Sequence, residues 1–93
     1  MKATWNGTVI ASSDATIVVG GNHYFPPDSI EKEHFLPSKK HTECPWKGTA
    51  SYFHIEVADK INRNAAWTYH NPKPATNHIK DYIAFWKGIQ VSS

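Results

Sequence analysis

Cysteine occurs once in the 93 residues, so no internal disulfide can staple the fold, and the paired thiol knuckles of structural zinc are excluded. Charge of one sign is scarce as well. Ten Lys plus Arg against eight Asp plus Glu leave +2, too little for the electrostatic footprint of a nucleic-acid binder. No run approaches the roughly 18 apolar residues of a membrane span, and Met1-Lys2-Ala3-Thr4-Trp5 enters a strand-like pattern without a signal-peptide core. Internal repeats, low-complexity segments, a P-loop and a dinucleotide fingerprint are all missing. These absences lead us to expect a cytoplasmic, soluble protein with neither nucleic acid nor membrane as partner. What is present is an ordinary folded composition, 40% hydrophobic and 19% charged, with 13% aromatic residues, long enough for one core and too short for two.

Six Pro and five Gly spread along the chain predict short elements cut by turns. Asn6-Gly7 sits between the strand-like pieces of Ala3 to Ala11, a strong signal for a two-residue hairpin turn. Thr16 to Val19 is β-branched, and His23-Tyr24-Phe25 follows Gly20-Gly21-Asn22, so a second hairpin is expected there. Pro26-Pro27 ends it, Asp28 or Ser29 caps a brief helix over Ile30 to His34, and Pro37 stops that helix. From Gly48 the residues alternate: Phe53, Ile55 and Val57 fall on one face, and Ala50, Tyr52, His54 and Glu56 on the other, as in a half-buried strand. Ala58-Asp59-Lys60 turns the chain into a further strand over Ala65 to Tyr69, which puts Trp67 and Tyr69 together. Pro74 opens a second short helix through Lys80. Tyr82 to Lys87 is a last aromatic strand, with Tyr82, Ala84 and Trp86 opposite Ile83 and Phe85, before Gly88 allows a turn into Ile89-Gln90-Val91. The expected fold is one mainly β domain of bent hairpins with two short helices and an aromatic core.

Four strings make the chain resemble a known family. Asn22-His23-Tyr24-Phe25-Pro26-Pro27-Asp28-Ser29, Cys44-Pro45-Trp46-Lys47-Gly48-Thr49-Ala50-Ser51-Tyr52, Ala66-Trp67-Thr68-Tyr69 and Tyr82-Ile83-Ala84-Phe85-Trp86-Lys87-Gly88 are similar to the domain of unknown function 427 family. The resemblance runs from about Lys2 to Val91. It implies a small single-domain β fold with a coiled-sheet architecture like that of the Mss4-like group. For activity it implies only the family's second label, a nucleotidyltransferase family.

The residues argue against that label. Nucleotidyl transfer uses paired carboxylates to hold magnesium while pyrophosphate leaves, yet no acid-apolar-acid strand motif occurs among the eight acids, and Gly20-Gly21 lacks a downstream Asp pair. A metal site built from His41, Cys44, His54 and His70 meets a similar objection, because one cysteine cannot supply a knuckle. Scattered histidines are the better reading, and no metal is expected.

Two constellations carry chemistry. Cys44 is a candidate nucleophile or redox thiol, since Lys47 or His41 beside it lowers a thiol pKa, and His41 or His54 can serve as base. Read structurally, the same Cys44 is a small buried residue at the start of a strand, with Trp46 filling the core. Around it, Tyr52, His54, Trp67 and Tyr69 have the composition of a small-molecule pocket: rings to enclose a planar body and polar tips to orient it. The competing structural reading assigns Trp5, Trp46, Trp67 and Trp86 to core filling. The expected function is binding of a small, anionic molecule, with Trp67 and Tyr69 enclosing it, Lys47 pairing with its charge, and Tyr52 and His54 hydrogen-bonding to it. A Cys44-dependent enzyme and a scaffold or oligomerisation domain without a ligand stand as alternatives. Cofactor and oligomeric state are left open by the sequence.

Overall fold

Most of the turns in the computed structural model, which describes Met1–Ser93, use residues in the left-handed backbone region. Asn6 (φ 49°) and Gly7 (φ 76°) join β1 (Lys2–Trp5) to β2 (Thr8–Ser12). Two positive φ values in succession give the twist that matches a right-handed antiparallel pair. The same device recurs at Gly20-Gly21 between β3 (Ile17–Val19) and β4 (Asn22–Tyr24), and at Ala58-Asp59 between β6 (Gly48–Val57) and β7 (Lys60–Thr68). The hairpins expected at Asn6-Gly7 and Gly20-Gly21 therefore form where the local chemistry put them.

Three antiparallel sheets result. β2 and β9 (Gln90–Ser92) flank β1, β3 pairs β4, and the largest sheet runs β5 (Phe35–Cys44), β6, β7, β8 (Ile83–Phe85). Reciprocal backbone bonds between Phe25 and Ile83, 2.8 and 2.9 Å long, fasten the end of β4 to β8. Asn6 Nδ2 donates to Val57 O at 3.2 Å and joins two hairpin ends. No helix is long and apolar enough to cross a membrane.

The buried side chains form two clusters divided by β8. Ile83 and Phe85 enter one with Ile10, Phe25, Ile55 and Ala66, whereas Ala84 enters the other with Tyr24, Ala50, Tyr69 and Ile79. Alternation along one strand thus serves two cores. Phe53, Ile55 and Val57 share the first cluster's side, as their spacing predicted; Ala50 and Tyr52, read as a polar face, pack on the second cluster.

Four expectations need correction. The two short helices are instead three 3-10 segments, Pro27–Ser29, Lys32–His34 and Pro74–Ile79, with extended Ile30 and Glu31 between the first two and non-helical geometry at Thr76 in the third. Prolines and short length favour such tight single turns over α-helix. Pro37 does not end a helix but lies inside β5, a ten-residue edge strand in a stretch to which the sequence assigned no element. An edge strand leaves alternate N–H groups unpaired, so it accepts proline, and Lys39 and Lys40 suit its solvent side. β7 starts at Lys60, five residues before the expected strand, because polar Asn62, Arg63 and Asn64 conceal its pattern. Finally, none of the four tryptophans is buried, and Trp46 is 54% exposed; buried Tyr24, Phe25, Tyr69 and Phe85 supply the core's aromatic content.

Candidate functional site

The β5–β6 connection reverses direction through Pro45, Trp46 and Lys47, with Cys44 paired to Gly48 across its base. Gly48 has φ 114°, and a Cβ there would stand 3.3 Å from Asn71 O, so a side chain is disfavoured on two counts. The neighbouring loop clamps this turn: the Lys73 N–H donates to Lys47 O at 3.0 Å and Lys73 Nζ donates to Pro45 O at 2.5 Å. Held this way, the Lys47 side chain points inward. It is only 9% exposed, with its ammonium 4.9 Å from the Trp46 ring centroid and 5.7 Å from that of Tyr24. Gly20 leaves it room, since a Cβ at that position would come 3.3 Å from Lys47 Nζ. No carboxylate pairs with it; the one contact of this kind in the molecule is the hydrogen bond between His70 Nδ1 and Asp81, at 2.9 Å.

Beside this ammonium lies a hollow of about 190 Å³ lined by Tyr24, Lys47, Tyr52, Trp67, Tyr69 and Trp86. Its walls are fixed to each other and to the backbone. Trp67 Nε1 donates to the Tyr24 hydroxyl at 3.3 Å, Trp86 Nε1 to Asn64 O at 2.5 Å, and the Tyr52 and Thr42 hydroxyls lie 3.0 Å apart. Ring centroids are separated by 6.0 Å for Trp67 and Trp86 and 6.5 Å for Tyr52 with either indole, within the range of favourable edge and tilted contacts. Ala84, opposite Trp67 on β8, and Ala50, two residues before Tyr52, are small enough for these rings to settle against the second cluster. Two further cations sit on the outer rings, Lys40 over Tyr52 at 5.4 Å and Lys87 over Trp86 at 5.0 Å. Burial, reinforced by repulsion from the negative charge that Tyr24, Cys44 and Tyr52 carry once ionised, pushes the Tyr69 phenol up to about 12, so it keeps its proton.

A second, larger hollow of about 470 Å³ opens beside Cys44, with Glu43, Pro45, Gly48, Thr49 and Lys73 around it. Cys44 is half-buried at the end of β5, not fully buried at a strand start, and it leans on the second cluster. The Trp46 N–H aimed at the sulfur holds the thiol below its ordinary value; partial burial opposes this, while the Lys47 N–H and the Lys47 and Lys73 charges add to it.

Four of the expected site residues therefore meet in one hollow: Lys47, Tyr52, Trp67 and Tyr69. His54 does not. Its Nδ1 accepts the Asn64 N–H at 2.9 Å, and Asn64, at φ 55° in an irregular stretch of the β6–β7 pairing, is the residue whose carbonyl anchors Trp86. His54 thus acts on the wall through one intermediary. His41 is also away from the thiol: it bonds Ser51 at 3.3 Å, and the alternation of β5 places it on the face opposite Thr42 and Cys44. Sequence reading missed Tyr24 and Trp86 as lining residues. Trp86 was legible as a face-mate of Ala84, but nothing local tied Tyr24 to residues more than 40 positions away. No three His, Cys, Asp or Glu side chains converge in an arrangement able to hold a metal ion.

The model of a family described as a domain of unknown function, DUF427, matches residues 1–92. No curated protein matches the chain.

Proposed function

The chain belongs to the DUF427 family, and from that premise we propose that it is a binding module whose aromatic hollow takes a small planar anion. The observation that carries this reading is Lys47, a residue only 9% exposed whose ammonium has no counter-charge, at the wall of a hollow otherwise made of rings. The ammonium is not sealed from water, the Thr68 hydroxyl being the one buried polar side-chain atom without a partner, but confinement among rings thins its hydration, which costs free energy. Contacts with two ring faces offset part of the cost, on the order of 0.5–2 kcal/mol each, and an anionic ligand would supply the missing partner. Trp67 and Tyr69 enclose the ligand in this reading, and Tyr52 borders it. A cytoplasmic location belongs to the same proposal, supported by the single cysteine, as does the Mss4-like coiled-sheet architecture, supported by the register shifts within the β1–β2, β5–β6 and β6–β7 pairings. The partner is a small molecule, and the net charge of +2 gives no footing for nucleic acid.

The test is a titration followed by the four indole N–H resonances in a nitrogen–proton spectrum, using a panel of small planar acids. Binding in the hollow moves the Trp67 and Trp86 signals and leaves Trp5 in place. A panel that moves neither, up to millimolar concentration, removes the reading.

A second reading makes Cys44 a nucleophile or redox thiol. Its support is the acidified sulfur bordering the 470 Å³ hollow. Neither His41, on the face of β5 opposite Cys44, nor His54, which lines neither hollow, stands beside the sulfur to serve as its base, which is why binding ranks first.

A further inference from the structure

We infer that the ligand of the aromatic hollow is a single-ring aromatic carboxylate. The inference rests on the binding reading above and narrows its chemical class. An aromatic cage ordinarily attracts a cation through the negative faces of its rings. Here the protein has placed its own cation against Tyr24, and Lys40 and Lys87 lie over Tyr52 and Trp86. A second positive group would meet three ammoniums and no carboxylate, so a cationic guest is disfavoured by like charge.

The polar atoms that remain select for an acceptor. Both wall indoles have spent their N–H groups, Trp67 on the Tyr24 hydroxyl and Trp86 on Asn64 O, and the Tyr52 hydroxyl is engaged with Thr42. What is left to meet a ligand is the Lys47 ammonium, which has no hydrogen-bond or ion-pair partner; the Tyr69 phenol beside it keeps its proton and shares it with Tyr24. An ammonium only donates. A ligand that brings one anionic acceptor satisfies it, whereas a neutral hydroxyl or amide leaves the charge without a partner.

Size and charge number set the rest. About 190 Å³ falls below the roughly 300–1,000 Å³ of sites that enclose drug-sized ligands, so one ring fits and a base with its sugar and phosphate does not. Only one ammonium lies inside; Lys40 and Lys87 stand over the outer rings. A single point charge matches a carboxylate better than a phosphate dianion, which calls for a denser set of donors.

The experiment compares benzoate and phenylacetate with their uncharged amides, benzamide and phenylacetamide, and with phenyl phosphate, at pH 7 and constant ionic strength. The readout is again the Trp67 and Trp86 indole resonances. We expect the acids to bind at least about tenfold more tightly than the amides and more tightly than phenyl phosphate. Lys47→Met is expected to bring the acids down to the level of the amides. Amides that bind as tightly as acids overturn the inference while leaving a small-molecule hollow in place, and so does phenyl phosphate binding best. If no ring compound of any charge moves either indole, the binding reading itself falls. The comparison on the unsubstituted protein needs no variant to fold, so it decides the question even if Lys47→Met is unstable.

Discussion

Single side chains carry the sharpest consequences. The sulfur of Cys44 faces the Trp46 N–H and two lysines, so its alkylation in the folded protein should have a midpoint below the ordinary thiol value of about 8.5. Intact mass after timed labelling across pH 5 to 10 reads that midpoint directly, and one at or above the value in denaturant removes the acid thiol. Because the folded pKa is depressed, ionised Cys44 adds stability as pH rises through the folded value toward the unfolded one. Tyr69 runs the other way. Its phenol is raised from 10 to about 12, so its contribution is whole below the unfolded value and is lost as pH climbs through the folded value. The stability advantage of the protein over Tyr69→Phe should therefore shrink between pH 10 and pH 12, a difference measurable by urea unfolding; a constant difference across that window would show that no such shift exists. The Thr68 hydroxyl is buried without a hydrogen-bond partner. Thr68→Val keeps the shape and removes the orphan, so it should stabilise the fold by about 1 kcal/mol, and a clear loss in the same unfolding assay would reveal a partner for that oxygen.

Strands and turns decide where these side chains meet. The β5–β6 turn delivers Lys47 to the hollow and Cys44 to its neighbour, and it depends on Gly48 at φ 114° beside Asn71 O. Gly48→Ala should cost about 1–3 kcal/mol through left-handed strain and the close approach, whereas Gly7→Ala, with nothing within 4 Å of the new Cβ, should cost only its backbone strain, about 1 kcal/mol. Chemical denaturation of the two variants checks the order, and equal losses would mean that Asn71 yields freely. The turns were the most legible part of the sequence. Asn6-Gly7 and Gly20-Gly21 need only their own backbone preferences to reverse the chain, and the period of two along Phe53, Ile55 and Val57 needs only one strand. β5 was not legible, since Pro37, Lys39 and Lys40 look irregular until the strand is known to lie at an edge.

At the scale of the whole molecule, the two clusters share strand β8, so they are expected to unfold as one cooperative unit. Phe25 is fully buried, stands edge to face with Phe85 at 5.5 Å, and shares its backbone bonds with Ile83. Phe25→Ala should lose about 3–5 kcal/mol, most of the stability of a domain this small, so thermal melting should find it largely unfolded near 37 °C; a melting point within a few degrees of the parent would show that the sheets do not depend on that junction. The sequence by itself determined the mainly β character, the early hairpins and four of the six residues around the aromatic hollow, because turn chemistry and alternation belong to contiguous residues. Tertiary structure alone decided that the tryptophans stay out of the core, that Tyr24 and Trp86 join Lys47, and that His41 and His54 turn away from Cys44. Those outcomes depend on pairings such as Tyr24 with Trp67, 43 positions apart, and on the register of neighbouring strands, which no local pattern encodes.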